Sequence, residues 1–210
     1  MNSRERSVGH LANFYTVVVG LALSATIFNV VNADGKLVPF SWPTFILGFA
    51  LIITLLPFYH GAMRHLDITY IEKKGESVKR GTLLGDFIIL FFEGCLFIAL
   101  AVLLKKPLLF VWGYMLLLAI DVAWGIWVSR PLSLKENKSA EVKWTKINLV
   151  TFIILFAVLF YYDLLPFSKG NKIVDELILS IGMFFLSLIR TVVDYRWAWD
   201  FYYPTEKMSR

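Results

Sequence analysis

The sequence predicts an all-α integral membrane protein, one domain over residues 1–210 with six transmembrane helices in a bundle and both termini in the cytoplasm. Three observations predict it. Hydrophobic residues make up 58% of the chain and the mean hydropathy is +0.65, too apolar for a water-soluble domain of this length. Six apolar runs reach the roughly 20 residues that cross a bilayer. Lysine and arginine fall in alternate connections, as the positive-inside rule requires. The net charge of +5 and pI ≈ 9.3 would fit nucleic acid in a soluble chain. Here the basic residues flank apolar runs, so topology accounts for them and no nucleic-acid partner is expected.

The first span is expected over Leu11–Asn32. Arg4 and Arg6 precede it and Val31-Asn32-Ala33 resembles a cleavage site, but the segment is expected to stay as a span. Pro43–Met63 forms the second and carries Pro57, which frees the carbonyl of Ile53 and kinks the helix three residues before His60. The third, Thr82–Leu104, contains Asp86 and Glu93, seven residues apart and therefore on one face, about 10 Å apart in depth. Asp121 lies in the fourth span, Leu108–Val128, and Asn148 and Thr151 open the fifth, Ile147–Phe167. The sixth, Ile173–Tyr195, repeats Ser180, Ser187 and Asp194 at seven-residue intervals, with Arg190 and Thr191 beside that stripe. Gly20 and Ser24 in the first span, with Gly113, Ala119, Ala123 and Gly125 in the fourth, are expected to be close-packing positions.

The connections 33–42, 105–107 and 168–172 read as short external turns, whereas 64–81 and 129–146 are longer cytoplasmic loops able to form amphipathic surface helices. Their lysines are expected to meet anionic lipid, and residues 196–204, rich in Trp and Tyr, to anchor along the inner surface. Such a protein belongs in a plasma or inner membrane. The single cysteine, Cys95, excludes a disulfide framework.

Function is expected to reside in the ionisable residues that hydrocarbon penalises by roughly 2.5–3.5 kcal/mol each on insertion scales. These are His60, Asp86, Glu93, Asp121, Arg190 and Asp194, one or two in each of four spans and most at one depth. The pattern predicts a small transporter or channel-like protein with a cytoplasm-facing polar cavity that handles a proton, ion or small polar solute. Glu93 would be the deepest proton acceptor, Asp86 and Asp121 the relay or cation ligands, His60 the gate-side titrating group, and Arg190 the counter-charge, paired with Asp194 on its own helix or with a carboxylate on another. The rival readings are a lipid- or quinone-modifying enzyme and a non-catalytic subunit that assembles with itself or another protein. No metal or cofactor is expected, because Glu-x-x-His spacing is missing and His60 and His65, five apart, diverge on a helix. Neither a Gly-x-Ser-x-Gly nucleophile nor a glycine-rich phosphate loop occurs.

Fifteen of the 21 lysines and arginines lie on the side that holds both termini, five lie on the other, and Arg190 is within the sixth span. In a Cys95→Ala background, cysteines at Ser77 and Ser139 should therefore resist an impermeant thiol reagent in intact cells. A cysteine at Gly35 should react, and the reverse labelling would invert the topology.

Overall fold

The computed structural model describes residues 3–33, 36–37, 41–72, 80–129, 140–164 and 172–203. Six long helices run in alternating directions: α1 (Ser3–Val31), α2 (Trp42–Leu66), α3 (Arg80–Leu103), α4 (Pro107–Ser129), α5 (Ala140–Leu164) and α6 (Lys172–Trp197). A one-turn helix, α7 (Trp199–Tyr202), follows. A two-residue antiparallel ladder, Asn32–Ala33 with Lys36–Leu37, is the one non-helical pairing among the described residues. All six long helices contain segments long and apolar enough to cross a membrane, and the chain is an integral membrane protein.

The helix ends follow from local chemistry. Pro43 enters α2 within its first two positions, where a missing N–H costs nothing, after Ser41 in an extended conformation. Arg64 and His65 sit in the last turn of α2, where cations complement the exposed carbonyls. That helix runs on through a π-helical turn, Asp67–Glu72, so much of the expected loop 64–81 extends the second span. Between α3 and α4 the chain reverses in three residues, with the Lys106 N–H bonded to Leu103 O at 2.8 Å and Pro107 starting the next helix. α5 begins seven residues before the expected Ile147, because Ala140 and Trp144 find partners in the bundle and extend the helix beyond its apolar run. The rest of the two long loops, 73–79 and 130–139, and the turn at 165–171 lie outside the described residues.

Neighbouring helices close a ring in the order α1, α3, α4, α5, α6, α2, and α2 touches α4 across it. Burial agrees: 56% of the spanning window of α2 and of α4 is buried, against 33–39% for the other four. The main core includes Leu47, Leu51, Phe97, Leu100, Phe110, Tyr114 and Leu117. A second, aromatic cluster of Trp124, Trp144, Ala198 and Tyr202 lies at the end where the described chain starts and stops, hereafter the near end.

Small residues do not all pack as expected. Gly20 and Ser24 face outward, and a Cβ at Gly20 would meet nothing. Gly125 is a contact point: a Cβ there would collide with Thr145 Oγ1, which donates to Glu141 O at 2.7 Å. Gly125→Ala should therefore cost roughly 1–3 kcal/mol, the usual penalty of overpacking. Gly20→Ala should be neutral in the same detergent unfolding experiment. Equal effects at the two sites would remove the α4–α5 close approach.

Candidate functional site

Four of the six candidate residues line one cavity, Glu93 from α3, Asp121 from α4, and Arg190 and Asp194 from α6. Its walls include Phe58 and Gly61 of α2, Trp124 of α4, and Trp144 and Asn148 of α5, so five helices contribute. All four ionisable residues are at least nine-tenths buried. The cavity measures about 30 Å³. A water needs about 10–15 Å³ on this scale, so roughly two waters fit and an organic solute does not.

Arg190 makes no ion pair among the described residues, either with Asp194 one turn along α6 or with another carboxylate. Its Nε donates to Asn148 Oδ1 at 2.7 Å, while the Asn148 amide N–H donates to Asp121 Oδ2. The asparagine thus conveys the charge of the guanidinium to the carboxylate through a neutral amide, satisfying a donor and an acceptor that both need partners. The guanidinium also lies over the Phe58 ring, 4.6 Å from its centroid. The Glu93 carboxyl lines the same cavity as Asp121, so α3, α4, α5 and α6 bring polar groups to one space and the last three are joined by hydrogen bonds.

Four buried polar atoms around this cavity make no hydrogen bond of normal geometry: Glu93 Oε1, Arg190 Nη1, Asp194 Oδ1 and Trp144 Nε1, the last two on side chains that neighbour each other. Two are donors and two are acceptors. Buried orphans are rare in native proteins, and these four surround one small space that would hold roughly two waters.

At the near end α7 packs over Asp194 and Trp144, two residues of the cavity wall, as a roof. Tyr202 donates from its hydroxyl to Asp194 Oδ2 at 3.2 Å. Burial, and then the neighbouring Asp194, push that hydroxyl above its ordinary value, so it stays a donor. Arg64 Nε to Phe201 O, 3.0 Å, and Lys143 Nζ to Trp197 O, 2.6 Å, fix the roof by bonding the last carbonyls of α7 and α6. Tyr202 is therefore buried, while Trp197, Trp199 and Tyr203 around it remain outward.

Asp86 and His60 are elsewhere. Asp86 shares an inward face with Glu93 yet is consumed in a separate knot, where it accepts from Tyr70 Oη at 2.6 Å and Trp124 Nε1 at 3.0 Å. His65 Nε2 lies 3.3 Å from Asp86 Oδ2, with Nδ1 3.4 Å from Glu141 Oε1. His60 and His65 diverge on α2 as their spacing implies, and His65 is the one that turns inward. His60 is half-buried among Tyr195, Tyr202 and Tyr203, its Nδ1 3.4 Å from Tyr195 Oη. Asn13 of α1 faces outward, and Thr151 bonds within its own helix. The freed carbonyl of Ile53 does find a partner, Thr191 Oγ1 at 3.1 Å.

Comparison with protein-family models, curated proteins and solved structures finds no match to this chain.

Asn148 is the residue that composition alone understates. Asn148→Leu keeps the branched shape but strands Arg190 Nε and Asp121 Oδ2 together, and breaking a buried charge network in this way costs about 3–5 kcal/mol. Unfolding in detergent should show that loss, and Arg190→Met should cost less in the Asn148→Leu background than in wild type. Additive effects would mean that the asparagine does not connect the two charges.

Proposed function

We propose that this protein is a small transporter or channel-like membrane protein that takes up and releases protons at the Glu93–Asp121 pair, with Arg190 as a fixed counter-charge and Asp194 as the group on the near-end side. The observation that carries this reading is the set of four unpartnered polar atoms around a space for roughly two waters. Two donors and two acceptors complement water or a hydrated proton, which both gives and receives hydrogen bonds. A simple cation would leave Arg190 Nη1 and Trp144 Nε1 opposed, and a simple anion would face Glu93 and Asp194.

Charge count points the same way. Three carboxyl groups face one guanidinium, so full ionisation would leave two uncompensated negative charges in hydrocarbon. Protons relieve that excess without needing volume. Glu93 and Asp121 line the same small space, where a shared proton relieves their repulsion, since two carboxylates offer acceptors and no donor. A lipid- or quinone-modifying enzyme needs a slot far larger than about 30 Å³ beside its acid–base groups. On this reading Asp86 and His65 are structural, His60 is a half-buried titratable group near the roof, and the near end faces the cytoplasm and its anionic lipids.

Glu93→Gln mimics a permanently protonated side chain while preserving shape. It should leave insertion and detergent stability close to wild type and reduce pH-gradient-driven proton flux in proteoliposomes at least tenfold. Flux with an unchanged pH profile in this variant would remove the proton-site reading.

A further inference from the structure

Beyond the carboxylate cavity, away from the roof, three hydroxyl groups meet in the centre of the bundle. Thr54 Oγ1 of α2 lies 3.2 Å from the Tyr114 hydroxyl of α4, and Ser187 Oγ of α6 makes a long bond to the same oxygen at 3.5 Å. Thr54, Tyr114 and Ser187 are each fully buried. Their positions are tied to the cavity by helix geometry. Tyr114 is seven residues before Asp121, about 10 Å further along α4, and Ser187 is one turn before Arg190. Thr54 is four residues before Phe58, whose ring carries the Arg190 guanidinium.

The packing of the apolar core does not need these hydroxyls. Phe, Val and Ala would fill similar volume without a polar group to satisfy. The Thr54 hydroxyl donates its one proton to Ala50 O at 2.8 Å and so accepts from Tyr114, whose oxygen in turn accepts from Ser187, giving a directional chain from Ser187 through Tyr114 to Thr54. Tyr15 adds a fourth hydroxyl, fully buried and without a hydrogen-bond partner, within electrostatic reach of Glu93 and Asp121. Ser180 repeats the α6 stripe one interval further toward the far end, also fully buried.

We infer that Tyr114, with Thr54 and Ser187, is a hydroxyl relay that connects the carboxylate cavity to the far end of the bundle, so that protons cross the membrane rather than enter and leave from one side. In each step a hydroxyl oxygen gains a proton from one neighbour as it releases its own to the next, one O–H bond forming while another breaks, with no net charge left behind. This inference rests on the proton-site reading of Glu93 and extends it to a two-sided path.

The test uses the full chain in proteoliposomes with an internal pH dye, an imposed pH gradient and valinomycin. Infrared difference spectra follow the Glu93 carboxyl, identified by its loss in Glu93→Gln. Tyr114→Phe removes one oxygen and should slow proton entry at least tenfold while the Glu93 signal still responds to pH. Thr54→Val should slow entry in the same sense, and Ser24→Ala, whose outward hydroxyl bonds only Gly20 O of its own helix, should not. Detergent unfolding of each variant near the wild-type midpoint establishes that the fold is kept. Wild-type flux in Tyr114→Phe, with flux still lost in Glu93→Gln, overturns the relay and leaves the carboxylate site standing. So does a responsive Glu93 signal in a wild-type protein that carries no flux. Loss of both the Glu93 signal and any Glu93 dependence removes the site and the relay together.

Discussion

The bundle is organised around a guanidinium that hydrocarbon cannot tolerate alone and that forms no ion pair with a carboxylate among the described residues. Arg190 is buried on α6, and its one hydrogen bond among the described residues goes to a neutral amide. An unpaired charge at such depth would cost several kcal/mol. Asn148 spreads that charge to Asp121, so the cost is shared by a chain that crosses three helices, with Glu93 of a fourth lining the same cavity. Those helices must stay in register for the chain to close. The ring order, with α4 between α3 and α5 and α6 beyond, is the order in which the polar groups are joined.

An indirect link has a chemical consequence. A bidentate arginine–carboxylate pair would spend both groups on each other, leaving little to exchange. Routed through an amide, the guanidinium holds a positive field at the site while Glu93 Oε1, Asp194 Oδ1 and its own Nη1 stay uncommitted. The knot at His65 is the contrast within the same molecule. There Asp86 receives Tyr70, Trp124 and His65, and no atom of Asp86 or His65 is left unpartnered. Both clusters put ionisable groups in the bundle, but one is closed on itself and the other is open. Trp124 belongs to both, with its N–H on Asp86 and its ring on the cavity wall, so the closed knot braces the open site.

Helix number and approximate span limits were legible because an apolar run of spanning length has few alternatives, and four candidate residues in one cavity were legible because depth and period are read directly from spacing. The misassignments have physical causes. Asp86 and Glu93 share a face, but seven residues separate them by about 10 Å, enough for each to meet a different set of neighbours. The inward turn of His65 was not legible because rotation about α2 depends on which helices lie beside it, and the ring order is not written in any one segment. Gly20 and Ser24 look like a packing motif, yet that side of α1 has no neighbour. Asn148 carried a weak signal, a lone amide at the depth of the charges, but its bridging geometry needs α4 and α6 on either side.

Seven-residue spacing explains why the polar groups of three helices can meet at all. A heptad falls about 20° short of two full turns, so residues at that interval stay on the same face over two or three repeats. Asp86 and Glu93 keep it on α3, Tyr114 and Asp121 on α4, and Ser180, Ser187 and Asp194 on α6, and all seven are buried. In a water-soluble bundle that face would be apolar; here lipid takes the apolar side chains and the interior is free to hold polar ones. What limits interior polarity is satisfaction rather than solubility, and hydroxyl groups satisfy one another at little desolvation cost compared with charges. The gradation along the axis follows, with carboxylates and guanidinium near the aromatic roof and only hydroxyls further in. The bundle thus concentrates its charge where water-sized space accompanies it and uses neutral donors and acceptors where the packing is tight.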